Sequence, residues 1–260
     1  MRVHHLNCGT MHPIATEGGL VCHVLLLETD HGLALVDTGL GLLDAAEPGK
    51  RFGPARIVVR PVFDPREAAI TQIRQLGHDP ADVRHIVITH FDSDHVGGLA
   101  DFPAATVHLT GAEAFAAQHP QTFMEKQRYR PTYYAHGPAL VEHTPAEGES
   151  WRGFPGAEEL TDIAPGVVLI SLPGHTRGHA AVAVDAGDRW VLHVGDAFYF
   201  RRQLDGRIRN PMTLMERSVA FDWAKVQANH QRLAEVLAAG EPDLLLVNAH
   251  DPALLELART

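Results

Sequence analysis

The amino-acid sequence predicts an α/β protein in which sheets and helices form a layered sandwich. Eight short apolar runs predict strands, and helical patterns separate some of these runs while others follow one another directly. Of the 260 residues, 45% are hydrophobic and 21% are charged. This balance is typical of a globular chain and excludes an intrinsically disordered one.

The predicted strands are runs of β-branched and aliphatic residues that end at glycine, proline or polar residues. Some follow one another as in hairpins and others are separated by helices, which favours a sandwich over a regular βαβ wheel. The strands occupy residues 23–29, 32–39, 84–90, 105–110, 166–175, 180–186, 189–197 and 242–250.

Two helices are predicted in the first half of the chain. In residues 64–77, Asp64 is the predicted N-cap and Gly77 lies just past the end, with apolar residues at helical spacing between them. Residues 111–119 form a shorter helix.

The third predicted helix spans residues 218–240. Ser218 or Asp222 caps its start, Gly240 ends it, and its apolar residues form one stripe.

The stretch 120–165 lacks the regular patterns of the predicted strands and helices, because it contains six prolines and six aromatic residues. We expect it to run over the surface, with a lid insertion at about residues 120–160.

Charge, hydropathy and cysteine content narrow the functional class. With 22 Lys and Arg against 32 Asp and Glu, the formal charge is −10, which argues against nucleic acid as a partner. No run approaches the ~20 apolar residues of a membrane span, and the start of the chain lacks a signal-peptide pattern. Cys8 and Cys22 are too few for a disulfide framework. We therefore expect a cytoplasmic protein that acts on a small molecule.

Five predicted strands end in an aspartate or a histidine. In α/β sheets, ligands bind outside the carboxyl ends of the strands, where a side chain is held rigidly yet faces open space. The sequence therefore predicts that these ends converge on a metal. The five residues are Asp37, His90, His175, Asp196 and His250.

The segment HFDSDH, residues 90–95, is the densest group of potential metal ligands. It places His90, Asp92, Asp94 and His95 within six residues. Imidazole and carboxylate together suit zinc, manganese, iron or cobalt. Two cations about 3.5–4 Å apart could share the group and lower the pKa of a bound water to about 7.

These residues resemble the metallo-β-lactamase superfamily, whose hallmark is a His-x-His-x-Asp-His motif followed by a later His, an Asp and a final His. The resemblance covers nearly the whole chain and implies a single domain over residues 1–260 with an αβ/βα four-layer sandwich. The residues that match the pattern are His90, Asp94, His95, His175, Asp196 and His250. Asp37 matches a supporting position near the site.

The resemblance also implies how one or two zinc ions would be held. His90 and His175 would bind one metal, Asp94, His95 and His250 the other, and Asp196 both. The chain departs from the motif at Asp92, which stands where the family has its second histidine. Either Asp92 serves as an oxygen ligand, which shifts the preference toward manganese or iron, or it turns away or supports a histidine, and one metal is bound weakly.

Tyr199 follows Asp196 by three residues, an offset at which N-acyl homoserine lactonases of this superfamily carry a tyrosine that contacts the substrate carbonyl. The resemblance implies that its phenol stabilises an oxyanion, and the alternative is a packed aromatic ring. We expect His179 to be hydrogen-bonded rather than metal-bound. The basic segments 128–130 and 200–202 could attract an anionic substrate, but basic pairs of this kind are usually solvated, and we expect them to be solvated here.

The predicted function is a metal-dependent hydrolase that opens an ester-like bond, with a lactone as the first candidate. A metal-bound hydroxide would attack the carbonyl carbon, with Asp94, Asp196 and Tyr199 as the catalytic residues. Two alternatives remain open at this point. One is a thioester hydrolase of the glyoxalase II kind, a phosphodiesterase or a β-lactamase on the same fold. The other is a metal-binding protein that has lost catalysis.

Overall fold

The computed structural model of the protein describes residues 1–14, 16, 18–145, 150–205 and 211–260. Two main β-sheets face one another in the described chain, and helices cover their outer sides. The strands are β1 (Arg2–Met11), β2 (Leu20–Thr29), β3 (Gly32–Val36), β4 (Val83–Val87), β5 (Thr106–Thr110), β6 (Ala139–His143), β7 (Ser150–Trp151), β8 (Phe154–Pro155), β9 (Ala157–Glu159), β10 (Val167–Ser171), β11 (Ala180–Asp185), β12 (Trp190–His193) and β13 (Leu244–Val247).

The helices are mostly short, and all except the last one lie between strands in the chain. They are α1 (Leu42–Ala46), α2 (Pro48–Arg51), α3 (Arg56–Val59), α4 (Ala69–Gln75), α5 (Ser93–Val96), α6 (Gly111–Gln118), α7 (Phe123–Arg128), α8 (Pro211–Val219), α9 (Trp223–Ala239) and α10 (Pro252–Ala258). Among the described residues, no helix combines the length and the hydropathy needed to cross a membrane.

The first sheet has the strand order β1-β2-β3-β4-β5-β6, antiparallel from β1 to β3 and parallel from β3 to β6. The second has the order β13-β12-β11-β10-β9 and is antiparallel except for the β12–β13 pair. The strands β7 and β8 form a separate small pair. Parallel strands present their carboxyl ends at one edge, which places the loops that follow them close together.

Alternating side chains on β2 explain the layers. Leu25 and Leu27 face the second sheet and join a core that includes Val182 of β11. Leu26 faces the other way and packs with helical residues such as Ile73 of α4. Because successive residues of a strand point to opposite faces, a wholly apolar strand is buried on both sides. The predicted αβ/βα sandwich is confirmed.

The eight predicted strands all exist, but several are shorter than predicted at their carboxyl ends. The ladders of β4, β12 and β13 each stop three residues before His90, Asp196 and His250, respectively. The ligand residues therefore lie in loops just beyond the strands. Once the backbone leaves the ladder it is free to turn these side chains toward a common centre, which a regular alternating strand does not allow.

The predicted helix over residues 64–77 begins later than expected, at Ala69. Asp64 is not its N-cap, because the Asp64 carboxylate accepts a hydrogen bond from the backbone N–H of Arg66 and forms a local turn instead. Gly77 does end the helix, with φ of 88°. In the helix predicted over 218–240, Asp222 is the N-cap, and Gly240 ends it in the left-handed conformation.

The expectation that residues 120–165 only run over the surface is wrong in part. Residues 139–143 add the edge strand β6 to the first sheet, and residues 157–159 add β9 to the second. Backbone pairing in these pieces depends on distant strands, so the local proline and aromatic content does not reveal it. The lid insertion expected at about residues 120–160 stays a prediction.

Candidate metal centre

The structure brings the seven predicted ligand residues together in two adjacent groups. In each group the potential ligand atoms lie within 4.8 Å of one another. The first group is His90, Asp92, His175 and Asp196, and the second is Asp94, His95 and His250. These residues come from the loops after β4, β10, β12 and β13, and from the short helix α5.

Asp196 lies between the two groups and faces both. Its Oδ1 is 3.1 Å from Nε2 of His95 and 3.0 Å from Nε2 of His250. Its Oδ2 is 3.5 Å from Nε2 of His175, in the first group. One carboxylate can therefore contribute an oxygen to each of two neighbouring cations.

Asp92 points into the first group. Its Oδ2 is 3.0 Å from Nε2 of His175 and 3.4 Å from Nε2 of His90. This placement favours the interpretation of Asp92 as an oxygen ligand over the one in which it turns away.

Arg128, at the end of α7, is a site residue that sequence reasoning missed. Its Nε lies 2.6 Å from Oδ1 of Asp92, and only 10% of its side chain is exposed. The expectation that the basic residues at 128–130 are solvated is therefore wrong for Arg128. Nothing in the local sequence around Arg128, which is rich in arginine and tyrosine, indicates that its partner is Asp92, 36 positions away in the chain.

Hydrogen bonds fix the histidines of the second group. Nδ1 of His95 lies 2.8 Å from Oδ2 of Asp37, which also accepts from the hydroxyl of Thr89 at 2.9 Å. Nδ1 of His250 donates to the carbonyl of Val21 at 2.8 Å. A proton on Nδ1 leaves the Nε2 lone pair of each ring free and aimed into the site, which is the tautomer that a metal needs.

The donor set fits a divalent cation. Nε2 of His90, Nε2 of His95 and Oδ1 of Asp196 are buried and make no hydrogen bond of acceptable geometry within the described residues. Buried polar atoms are normally satisfied, so three unsatisfied atoms that face one region indicate a missing partner. Burial lowers the pKa of His95, but Asp196 and Asp37 outweigh it and hold that pKa well above its usual value. The negative charge that favours a second proton on this ring, at Nε2, would equally favour a metal cation at that atom in place of the proton.

His179 is placed as predicted, as a hydrogen-bonded neighbour. Its Nδ1 donates to the carbonyl of Leu172 at 3.0 Å, and its Nε2 accepts from the backbone N–H of Asp196 at 3.0 Å. Both ring nitrogens are thus engaged, and burial holds the pKa of His179 well below its usual value. The neutral ring orients the backbone that carries Asp196.

Tyr199 lies at the wall of a cavity of about 360 Å³ that opens over the two groups. Its ring stacks on His250 with centroids 5.2 Å apart and an interplanar angle of 7°. Burial raises the pKa of the Tyr199 phenol well above its usual value, so the hydroxyl stays protonated and can donate. Much of the remaining wall is apolar, with Met11, Leu20, Phe52, Val58, Val59, Met124, Met215 and Val219.

The sequence profile of the metallo-β-lactamase superfamily matches residues 18–239. The chain belongs to the metallo-β-lactamase superfamily. The family predicted from the ligand pattern is thereby confirmed, and the site described above lies within the matched residues apart from His250.

Similar proteins include probable metallo-hydrolases and N-acyl homoserine lactonases. Probable metallo-hydrolases of Mycobacterium tuberculosis and Mycobacterium bovis are each 55% identical over all of this chain and 83% of their own length. The N-acyl homoserine lactonase AttM of Agrobacterium fabrum is 28% identical over 59% of this chain and 55% of its own.

Several solved structures share the fold. The AiiA protein of B. thuringiensis, in a variant with N-decanoyl-L-homoserine bound at its active site, superimposes with a TM-score of 0.71 at 23% identity. That match covers 98% of this chain and 95% of the other. AidC, a dizinc quorum-quenching lactonase, matches with a TM-score of 0.60 at 17% identity, over 90% of this chain and 74% of its own. At these identities the likeness concerns the fold.

Proposed function

We propose that this protein is a metal-dependent hydrolase that opens the ester bond of a lactone with an apolar acyl tail. The observation that carries the proposal is the joint placement of two ligand groups, bridged by Asp196, at the floor of an apolar cavity. The lactonases AttM and AiiA among the similar proteins support the choice of substrate class. Ligand sites of this kind are mostly apolar with a few polar groups that fix orientation.

The seven residues of the two groups would hold one or two divalent cations. Zinc suits the histidines, and the additional carboxylate of Asp92 also makes the first position suitable for manganese or iron. When bound, the cations supply a Lewis acid for the carbonyl and lower the pKa of water to about 7.

Two side chains of the protein handle charge and protons during ester opening. The Tyr199 hydroxyl donates a hydrogen bond to the carbonyl oxygen as negative charge develops there. Asp94 lines the cavity. Its carboxylate lies farther from the histidines than that of Asp196, with Oδ2 3.6 Å from Nε2 of His250. It takes a proton from the attacking water and returns it to the alkoxide that leaves when the ring C–O bond breaks.

A substrate panel tests the proposed function. We expect zinc-loaded protein to hydrolyse N-decanoyl-homoserine lactone with a higher kcat/KM than an acyl thioester, bis(p-nitrophenyl) phosphate or nitrocefin, and chelation to abolish the activity. A higher kcat/KM on the thioester or the phosphodiester would show that the lactone is the wrong substrate class and that the better substrate belongs to the right one. Failure to bind any metal would reject the hydrolase.

Val58 provides a test of where the acyl tail lies. It lines the cavity and is 52% exposed, whereas Val62 is 50% exposed and does not line it. Val58→Glu should lower kcat/KM for the decanoyl lactone by about 10-fold, which corresponds to about 1.4 kcal/mol, and affect a butanoyl lactone less. Val62→Glu is the matched control. Equal effects of both substitutions, or no dependence on chain length, would place the tail elsewhere.

Replacing Tyr199 by Phe should lower kcat about 100-fold, since one donor to the oxyanion is lost. The Phe ring keeps the stacking on His250, so metal content is expected to stay unchanged. Steady-state kinetics and elemental analysis of the same preparation measure both quantities. Loss of metal together with activity would show that Tyr199 supports the site rather than the reaction.

A further inference from the structure

The two oxygens of the Asp92 carboxylate face different partners. Oδ2 lies 3.0 Å from Nε2 of His175, inside the first ligand group. Oδ1 lies 2.6 Å from Nε of Arg128. Oδ1 is therefore paired with the positive charge of Arg128. Oδ2 faces His175 and stays available to a cation bound by the first ligand group.

Arg128 lines the cavity but is not available as a receptor for an anionic substrate. Its Nη1 donates to the carbonyl of His175 and its Nη2 to the carbonyl of Val219, both at 2.9 Å. With Nε beside Asp92, each nitrogen of the guanidinium already has a protein partner. The side chain thus connects three segments that surround the first group.

A second ion pair holds α7 on the same loop. Glu125, one turn before Arg128, accepts from Nε and Nη2 of Arg177 at 2.6 and 2.8 Å. Glu125 also closes the start of the helix through a capping box with Thr122. The helix is therefore docked beside His175 by contacts within the protein, and Arg128 is presented to Asp92 before any substrate arrives.

We propose that Asp92 and Arg128 form one charge-balanced unit at the first metal position, with Arg128 as its positioning residue. This inference rests on the proposed metal-dependent function. The pair has no net charge, like the neutral imidazole that the His-x-His-x-Asp-His pattern has at this place. The chain thereby exchanges a nitrogen ligand for an oxygen ligand without adding a negative charge to the site, and Arg128 selects Oδ2 as the oxygen that faces the cation.

A double-substitution cycle tests this inference by zinc affinity, measured in competition with a chromophoric chelator. Asp92→His supplies a neutral ligand but leaves the buried Arg128 charge beside the cation, so we expect binding at the first position to weaken by about 10-fold or more. Asp92→His with Arg128→Met removes that charge and should regain most of the affinity. If the histidine variants do not fold, Asp92→Asn and its double variant with Arg128→Met replace them. We expect the same order of zinc affinities, with the double variant binding more tightly than Asp92→Asn.

The matched control is Arg177→Met, which removes another arginine of an ion pair on the same loop. Added to Asp92→His, it should restore nothing. Equal zinc affinity of Asp92→His and the wild type, or equal losses in Asp92→His and its Arg128→Met double variant, would overturn the charge-balanced unit. Absence of zinc binding by the wild type would instead reject the proposed function.

A separate cluster, formed by His4, Glu28 and His78, lies outside the candidate metal centre. Nε2 of His4 is 2.6 Å and Nε2 of His78 is 3.6 Å from the same oxygen of Glu28, Oε1. The three potential ligand atoms lie within 4.8 Å of one another. Their side chains are between 22% and 29% exposed, so ions can reach them from solvent.

Backbone structure fixes all three residues of this cluster. Arg2 pairs with Glu28 across β1 and β2, and His4 follows two residues later, so His4 and Glu28 share one face of the sheet. His78 follows Gly77 at the end of α4, where its N–H donates to the carbonyl of Ile73 in a Schellman motif. Ile73 is fully buried, which anchors the loop.

We infer that His4, Glu28 and His78 bind a divalent transition cation such as zinc. Two imidazoles and one carboxylate, with water as a fourth ligand, form a common open zinc site. The cation would replace the proton between His4 and Glu28, and Arg2, whose guanidinium lies 3.5 Å from Glu28 Oε1, is 73% exposed and free to move away. A bound ion would tie the edge strand β1 to the loop after α4.

Crystals of the full chain soaked in zinc chloride test this second site. We expect an anomalous peak at the zinc edge within bonding distance of His4 and His78, and its loss in His78→Gln. In solution, His78→Gln should bind about one zinc fewer per chain than the wild type at saturation, while the exposed His31→Gln binds the same number and both keep hydrolytic activity. No peak, or equal stoichiometry in wild type and His78→Gln, would overturn the site.

Discussion

Replacing Asp196 by Asn is expected to remove the bound metal and nearly all hydrolysis at once. Its two oxygens face histidines of both ligand groups, with Oδ1 3.0 Å from His250 and Oδ2 3.5 Å from His175. An amide has no charge and only one oxygen, so it cannot serve two cations at once, and it binds either of them less strongly than a carboxylate does. Because a bound metal supplies several kcal/mol of charge stabilisation, we expect kcat/KM to fall by about 1000-fold or more.

Elemental analysis and lactone hydrolysis on the same preparation of Asp196→Asn check this expectation. Asp188→Asn, which changes an exposed aspartate on the turn before β12, is the control for the loss of one carboxylate. The assignment of Asp196 as a bridging ligand would be wrong if the variant kept the full metal content. Loss of activity with the full metal content retained would indicate a role in proton transfer alone.

The convergence of the site could be predicted because its signal is local in the sequence. Asp37, His90 and Asp196 each follow an apolar run that forms a strand, and strands of an α/β sheet deliver their carboxyl ends to one edge. The order of apolar runs and helical patterns along the chain also predicts the sandwich. What the pattern overestimated was the strand length, since the ladders stop before most of the ligands.

The parts that escaped prediction depend on contacts between distant segments. Arg128 becomes a site residue only because α7 docks beside the loop of His175, through partners 47 positions apart. The strand β1 was missed because Arg2–Met11 is polar and only partly buried, and its pairing with β2 holds it in place. Asp64 is of a residue type that often caps helices, but its carboxylate is used by a competing local turn.

Asp37 illustrates a supporting residue whose role is set by geometry. It adopts φ of 59°, in the left-handed region that aspartate tolerates better than most residues. Its Oδ1 accepts from the backbone N–H of Thr89 at 2.7 Å, and its Oδ2 faces Nδ1 of His95 at 2.8 Å. Burial raises the pKa of the Asp37 carboxyl, but His95 outweighs it and lowers that pKa, so the group is ionised and can only accept.

Replacing Asp37 by Asn should therefore reverse the tautomer of His95. The oxygen of the amide can still accept from Thr89, which turns the NH2 group toward Nδ1 of His95 as a donor. The ring proton then moves to Nε2, the atom that faces Asp196, and blocks it as a metal ligand. We expect the affinity of the second metal position to fall about 10- to 100-fold, as is typical when a hydrogen-bond partner of a ligand histidine is changed.

Zinc titration of Asp37→Asn against a chelator, together with thermal unfolding, separates this effect from a loss of stability. Asp101→Asn serves as the control, because Asp101 also accepts a backbone N–H, from Leu42 at 3.0 Å, but touches neither ligand group. A tautomer effect weakens zinc binding in Asp37→Asn beyond what its change in unfolding temperature explains, whereas Asp101→Asn keeps the zinc affinity of the wild type. Equal zinc affinity in all three proteins would leave Asp37 as a residue that stabilises only the loop after β3.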